Sequence, residues 1–134
     1  MKRAFVDTAG WFAYARADDP NHDPVQGALE HWEGRLVTSN YIFDEVITLI
    51  RMRVGYRPAR TIGELLRDPR LIDLPRATND DEQEAWRLFC HHTDKAYSFT
   101  DCVSFAMMRR LGIETAITTD KHFHQAGFQV QPAT

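Results

Sequence analysis

Cysteine is scarce in this chain: Cys90 and Cys102 are the only two among 134 residues, and neither belongs to a C-x-x-C pair. A zinc ribbon and a disulfide scaffold are both excluded on that count, and the two thiols are expected to be buried. No run of about 18 apolar residues exists that would span a bilayer as a helix. After Lys2 and Arg3 only Ala4, Phe5 and Val6 precede a charge, too few for a secretory leader, so a cytoplasmic protein away from membranes is expected. There is no glycine-rich phosphate loop and no G-x-S-x-G elbow, which removes the common nucleotide-binding and serine-hydrolase readings. Seven glycines and six prolines are too few for a disordered or fibrous chain. The net charge of -3 excludes coating of nucleic acid by the whole surface but not a local basic patch.

What is present suits a globular fold. With 43% hydrophobic and 26% charged residues, one compact domain over residues 1–134 is expected, with enough apolar content for a core. Short β-type runs alternate with longer helix-period segments, the pattern of an α/β domain with a mainly parallel sheet. Strands are predicted at 3–7, 35–38, 71–74, 114–119 and 128–130. Helices are predicted from Thr8 to about Arg16, from the turn before Pro24 to about Glu33, from Ser39 or Asn40 to Val54, from Pro58 to Leu66, from Asn79 or Asp80 onward, and from Ser98 to Leu111 with Gly112 as its stop. In the third of these Ile42, Val46, Ile50 and Val54 recur every four residues, with Phe43 and Ile47 widening the stripe, so this helix should pack on the core. Trp86, Phe89, Met107 and Met108 read as core residues.

Four acids stand out by position. Asp7 follows Ala4-Phe5-Val6, and Asp120 follows Ala116-Ile117-Thr118-Thr119. Each therefore falls at the carboxyl end of a predicted strand, where parallel sheets place their ligand sites. Either Asp alone would equally serve to open a turn or cap the next helix. Glu45 lies at the edge of the apolar stripe near Leu49 and Met52, whereas Asp44 points away into solvent. Asp101 has the spacing of a capping box with Ser98, and an acid in a first helical turn gains from the helix dipole whatever its function. Together the four would repel one another unless a cation compensated them. Oxygen donors without histidine or cysteine suit Mg²⁺ or Mn²⁺ better than zinc. Such an ion promotes hydrolysis of phosphodiesters.

Four segments in this order and spacing resemble one known family, the PIN domains, and within it the toxin ribonucleases of VapC type. They are Phe5-Val6-Asp7-Thr8-Ala9-Gly10-Trp11, Phe43-Asp44-Glu45-Val46, Asp94 through Phe105 with Tyr97-Ser98-Phe99-Thr100-Asp101 at its centre, and Thr118-Thr119-Asp120-Lys121-His122-Phe123 followed by Gly127-Phe128. The resemblance implies a three-layer α/β/α fold around a mainly parallel sheet and a divalent-metal site at Asp7, Glu45, Asp101 and Asp120. It makes Thr8, Ser98, Thr100 and Thr118 candidates for polar support of those acids. It also implies endonucleolytic cleavage of RNA, a homodimer, and silencing by an antitoxin encoded alongside. On this reading Asp7, Asp101 and Asp120 hold the ion and Glu45 orients or deprotonates the attacking water.

Residues 18–34 and 51–78 carry no such likeness. The second stretch holds Arg51, Arg53, Arg57, Arg60, Arg67, Arg70 and Arg76 among the chain's 16 Lys and Arg residues. Arg51, Arg53 and Arg57 would suit phosphate contact and Tyr56 stacking on an unpaired base. A solvated surface or a dimer or antitoxin interface would use the same residues. The paired histidines His91-His92 and His122-x-His124 read as surface or core-edge residues. Two other functions remain as alternatives to the toxin nuclease: a housekeeping RNA-processing nuclease, and a regulator that binds RNA without cutting it. A phosphatase with an Asp7 nucleophile would want an acid at position 9, where Ala9 stands.

Overall fold

A computed structural model describes residues 2–133. Five strands form one sheet in the order β3-β2-β1-β4-β5: β1 (Arg3–Val6), β2 (Arg35–Val37), β3 (Ile72–Asp73), β4 (Thr115–Ile117) and β5 (Gln129–Gln131). Every neighbouring pair is parallel. Consecutive strand residues point to opposite faces, yet Ala4, Phe5 and Val6 of β1 are all fully buried. Both faces are therefore covered by helices, giving the three-layer α/β/α arrangement and a wholly parallel sheet.

The helices are α1 (Thr8–Ala15), α2 (His22–Glu30), α3 (Asn40–Arg53), α4 (Tyr56–Leu66), α5 (Asn79–His91), α6 (Phe99–Leu111) and α7 (His122–Gln125). Ser39 caps α3 by accepting from the Ile42 amide, and Ile42, Val46 and Ile50 are buried as the four-residue spacing requires. Val54 is exposed, because α3 ends at Arg53 before that position can turn inward. Gly112 ends α6 in the left-handed conformation, at φ 70°. α4 starts two residues ahead of Pro58, which sits comfortably in its first turn. The one-turn α7 has no predicted counterpart, since four residues carry no periodicity.

Three expectations of burial fail on α5. Trp86 is 60% exposed and Phe89 42%, and Cys90 is exposed as well. The buried face of α5 is formed by Asp81, Ala85 and Leu88, and these three residues lie off it. Trp86 and Phe89 instead stack on each other at 5.8 Å and reach Phe99 at the start of α6. Met107, Met108 and Cys102 are fully buried, as expected. Asp81, 3% exposed, receives both the Nε and the Nη2 of Arg110 at 2.8 and 2.9 Å. This pair ties α5 to α6 and so holds the helix whose start carries Asp101.

The strand order reverses at β1, whose neighbours β2 and β4 are reached in opposite directions along the chain. The crevice at such a switch point opens beyond the carboxyl ends of β1 and β4. α1 must begin directly against that edge, and Gly10 permits it. A Cβ there would lie 2.6 Å from the Ile117 carbonyl oxygen and 3.0 Å from Val6 Cγ1. Alanine in place of a helical glycine ordinarily gains about 1 kcal/mol, but overpacking against backbone costs about 1–3 kcal/mol. Gly10→Ala is expected to destabilise the protein by up to about 2 kcal/mol in urea unfolding. Gly63→Ala, facing the Ile47 Cδ1 methyl at 3.2 Å and Phe43 Cζ at 4.0 Å, both side-chain tips, should be close to neutral by the same measurement.

Candidate active site

Asp7 follows β1 and caps α1. Its Oδ1 accepts the Gly10 amide at 2.8 Å and its Oδ2 accepts the Thr118 hydroxyl at 2.7 Å. Thr118, just after β4, in turn accepts the Asp120 amide at 2.9 Å. Because Val6 and Ile117 are register partners, the two strand ends deliver their acids side by side. Asp101 is the third residue of α6 and closes a reciprocal capping box with Ser98. His122 reaches between the helix start and the strand end: its Nδ1 lies 2.8 Å from Asp101 Oδ2 and 3.2 Å from Asp120 Oδ1. Glu45, exposed on α3, accepts the Thr8 hydroxyl. All four acids, His122 and Arg53 line one cleft of about 380 Å³.

The cleft is short of positive charge. Burial above all, aided by the charges of Asp120 and Asp101 and opposed by the hydrogen bonds from Gly10 and Thr118, pushes the Asp7 carboxyl up to about 7. Burial likewise raises Asp101, opposed by the Ser98 amide and by His122 and aided by Asp120. Asp101, Asp120 and His122 offer ligand atoms all within 4.8 Å of one another. A buried carboxylate that cannot hold its charge unaided, beside two further carboxylates and an imidazole, is a donor set that a divalent cation completes.

Of the supporting residues expected from the sequence, Thr118 bridges Asp7 to the Asp120 backbone, Thr8 holds Glu45, and Ser98 fixes the Asp101 carboxylate. Thr100 is bonded to none of the four acids; its carbonyl accepts the Ser104 hydroxyl. Among the basic candidates only Arg53 reaches the cleft. Arg51 and Tyr56 lie in a separate groove between α3 and α4, the guanidinium 5.9 Å from the ring centre, and Arg57 is exposed and lines neither. The reading of His122 as a surface or core-edge residue is corrected: its side chain is largely buried between two site carboxylates. The signal for it was its place two residues after Asp120, where the turn at the strand end folds it back, its own amide bonding Asp120 Oδ1 at 2.9 Å.

The PIN domain family pattern matches residues 4–129. The chain is 35% identical over 129 residues to the 23S rRNA-specific endonuclease VapC20 of Mycobacterium tuberculosis, covering 96% of this chain and 98% of that one. The crystal structure of that protein, described as a sarcin-ricin loop cleaving toxin, superposes with a TM-score of 0.88 at 34% identity over 93% of this chain and 95% of the other. VapBC-1 from nontypeable Haemophilus influenzae shares the fold, with a TM-score of 0.68 at 15% identity over 96% of each chain.

A carboxyl raised in the folded state stabilises the fold fully below its unfolded value of 3.8, and that contribution is lost as pH rises through about 7. The metal-free protein should therefore lose up to about 4 kcal/mol from this group between pH 4 and pH 8. Asp7→Asn should flatten that fall in thermal melts with EDTA and leave the variant the more stable of the two at pH 8. His122→Ala removes the donor that aligns Asp101 with Asp120, and should weaken divalent-metal affinity by about 10- to 100-fold in calorimetric titration.

Proposed function

This chain belongs to the PIN-domain family, and from that membership and its carboxylate cleft we propose that it is a divalent-metal-dependent endoribonuclease, the toxin of a type II toxin–antitoxin pair. The observation that carries the reading is the meeting of Asp7, Asp101 and Asp120 at the β1/β4 switch point, with Glu45 lining the same cleft. Similarity to VapC20 along nearly the whole chain supports a structured ribosomal RNA loop as the substrate class. The fold shared with VapBC-1 supports an antitoxin partner. The exposed Trp86–Phe89 stack is apolar surface of the kind a second copy covers, which supports a homodimer. No helix among the described residues is long and apolar enough to cross a membrane, and cytoplasmic action on RNA is part of the proposal. The contiguous core supports reading residues 1–134 as one domain.

In this mechanism Asp7, Asp101 and Asp120 hold the cation, with His122 aligning the latter two. Hard oxygen donors favour Mg²⁺ or Mn²⁺. When bound, the ion neutralises charge gathering on the phosphate and makes a nearby water easier to deprotonate. Glu45, held by the Thr8 hydroxyl, is placed to orient that water and take its proton. Arg53, which lines the same cleft, supplies a guanidinium for the phosphate. Attack of water on phosphorus breaks one P–O ester bond and leaves one new hydroxyl and one new phosphate end.

The test is cleavage of a sarcin-ricin hairpin RNA, and of bulk ribosomal RNA, with Mg²⁺ or Mn²⁺. Wild type should cut; Asp7→Asn and Asp101→Asn should each lower the rate at least 100-fold, and EDTA should abolish it. Equal cutting by all three proteins would mark the activity as a contaminant and defeat the reading.

A further inference from the structure

A second cleft, of about 460 Å³, abuts the carboxylate cleft at Asp120, which lines both. Lys121 and His124, on either side of His122, supply its basic groups, and Asn21 and Thr119 supply an amide and a hydroxyl. Val130 and Pro132 form an apolar wall. Among the described residues, the side chains of Lys121, His124, Asn21 and Thr119 enter no hydrogen bond or ion pair, while the Nδ1 of His122 between them is held by Asp101 and Asp120. The same turn thus sends one imidazole into the carboxylate cleft and leaves an ammonium and a second imidazole uncommitted in the next hollow.

The two clefts have complementary chemistry. The first gathers four carboxylates with two basic side chains, Arg53 and His122, and the His122 Nδ1 is already held by Asp101 and Asp120. The second holds only one acid, the shared Asp120, together with cationic and neutral donors and an apolar surface. A lone phosphate needs no apolar wall, and a protein segment gains little from a site with so few apolar side chains. A nucleotide uses every part: phosphate on a cation, base plane against an apolar face, and base edge on an amide or hydroxyl.

We propose that this second cleft is a nucleotide subsite flanking the scissile phosphate. The RNA strand crosses the carboxylates and passes over Asp120. The adjoining phosphate meets Lys121 and His124, and the unpaired base lies along Val130 and Pro132 with its edge toward Asn21 and Thr119. This rests on the ribonuclease reading, and assigns to the Lys121–His124 turn the positioning of the substrate rather than its chemistry.

Binding and turnover separate the two ideas. A fluorescein-labelled sarcin-ricin hairpin is titrated into the full chain in an Asp101→Asn background, with and without Lys121→Ala/His124→Ala, across a range of salt. The double variant should bind about tenfold more weakly, and the slope of log K against log salt should become shallower by about 0.7 for each single-strand phosphate that is no longer neutralised. Lys121→Arg should retain the affinity, and Arg87→Ala, a basic change elsewhere, should leave affinity and slope unchanged. In the otherwise unaltered enzyme the double variant should raise KM about tenfold with kcat within twofold, and Asn21→Ala should change the preferred nucleotide beside the cut. Unchanged affinity, slope and KM in a folded double variant would overturn the subsite while leaving the ribonuclease reading intact. Reduced affinity of the double variant, in a protein whose wild type cuts no RNA, would retain the subsite and remove that reading. Wild-type protein that binds no RNA would overturn the subsite.

Discussion

Negative charge crowded into a place with little water is the constraint around which this molecule is arranged. Asp7 is 4% exposed, and two hydrogen bonds do not offset the loss of its hydration. Much of the surrounding architecture keeps that carboxylate and its neighbours in place despite their repulsion. Thr118 bonds one acid and the backbone of another, Ser98 clamps a third, and His122 lies between two. The fold supplies rigidity and leaves the charge imbalance for a cation to correct.

The chain carries a built-in comparison. α5 and α6 each begin with a reciprocal capping box whose third residue is an Asp, closed by Thr78 in one and Ser98 in the other. Burial opposes ionisation of Asp81, but the paired Arg110 and the Thr78 bonds outweigh it and its pKa is lowered. Asp101 has the same local geometry without an arginine, and burial wins. One motif yields an ion-paired carboxylate of lowered pKa in one helix and a carboxylate of raised pKa lining the cleft in the next. Much of the difference lies in what faces the carboxylate from a distant part of the chain, Arg110 in one case and Asp120 and His122 in the other.

That difference explains what was legible in the sequence. Element types followed from periodicity and caps, so β1, α3 and α6 match their expected spans closely. Asp7 and Asp120 were readable because both close an apolar run, and their partnership followed from the parallel pattern. His122 was not, because its role depends on a turn that aims it at a helix start 21 residues earlier. Trp86 and Phe89 were misread for a related reason: large aromatics suggest a core, but which side of α5 faces inward is set by its packing on α6. The separation of Arg53 from Arg51 and Arg57 likewise required knowing where α3 ends relative to the cleft.

The box at the start of α6 couples two properties usually thought separable. Asp101 is both a wall of the cleft and the residue that closes the first turn of a helix buried through most of its length. Replacing Asp101 by a residue without a side-chain acceptor would therefore loosen the first turn of that helix along with the cleft wall.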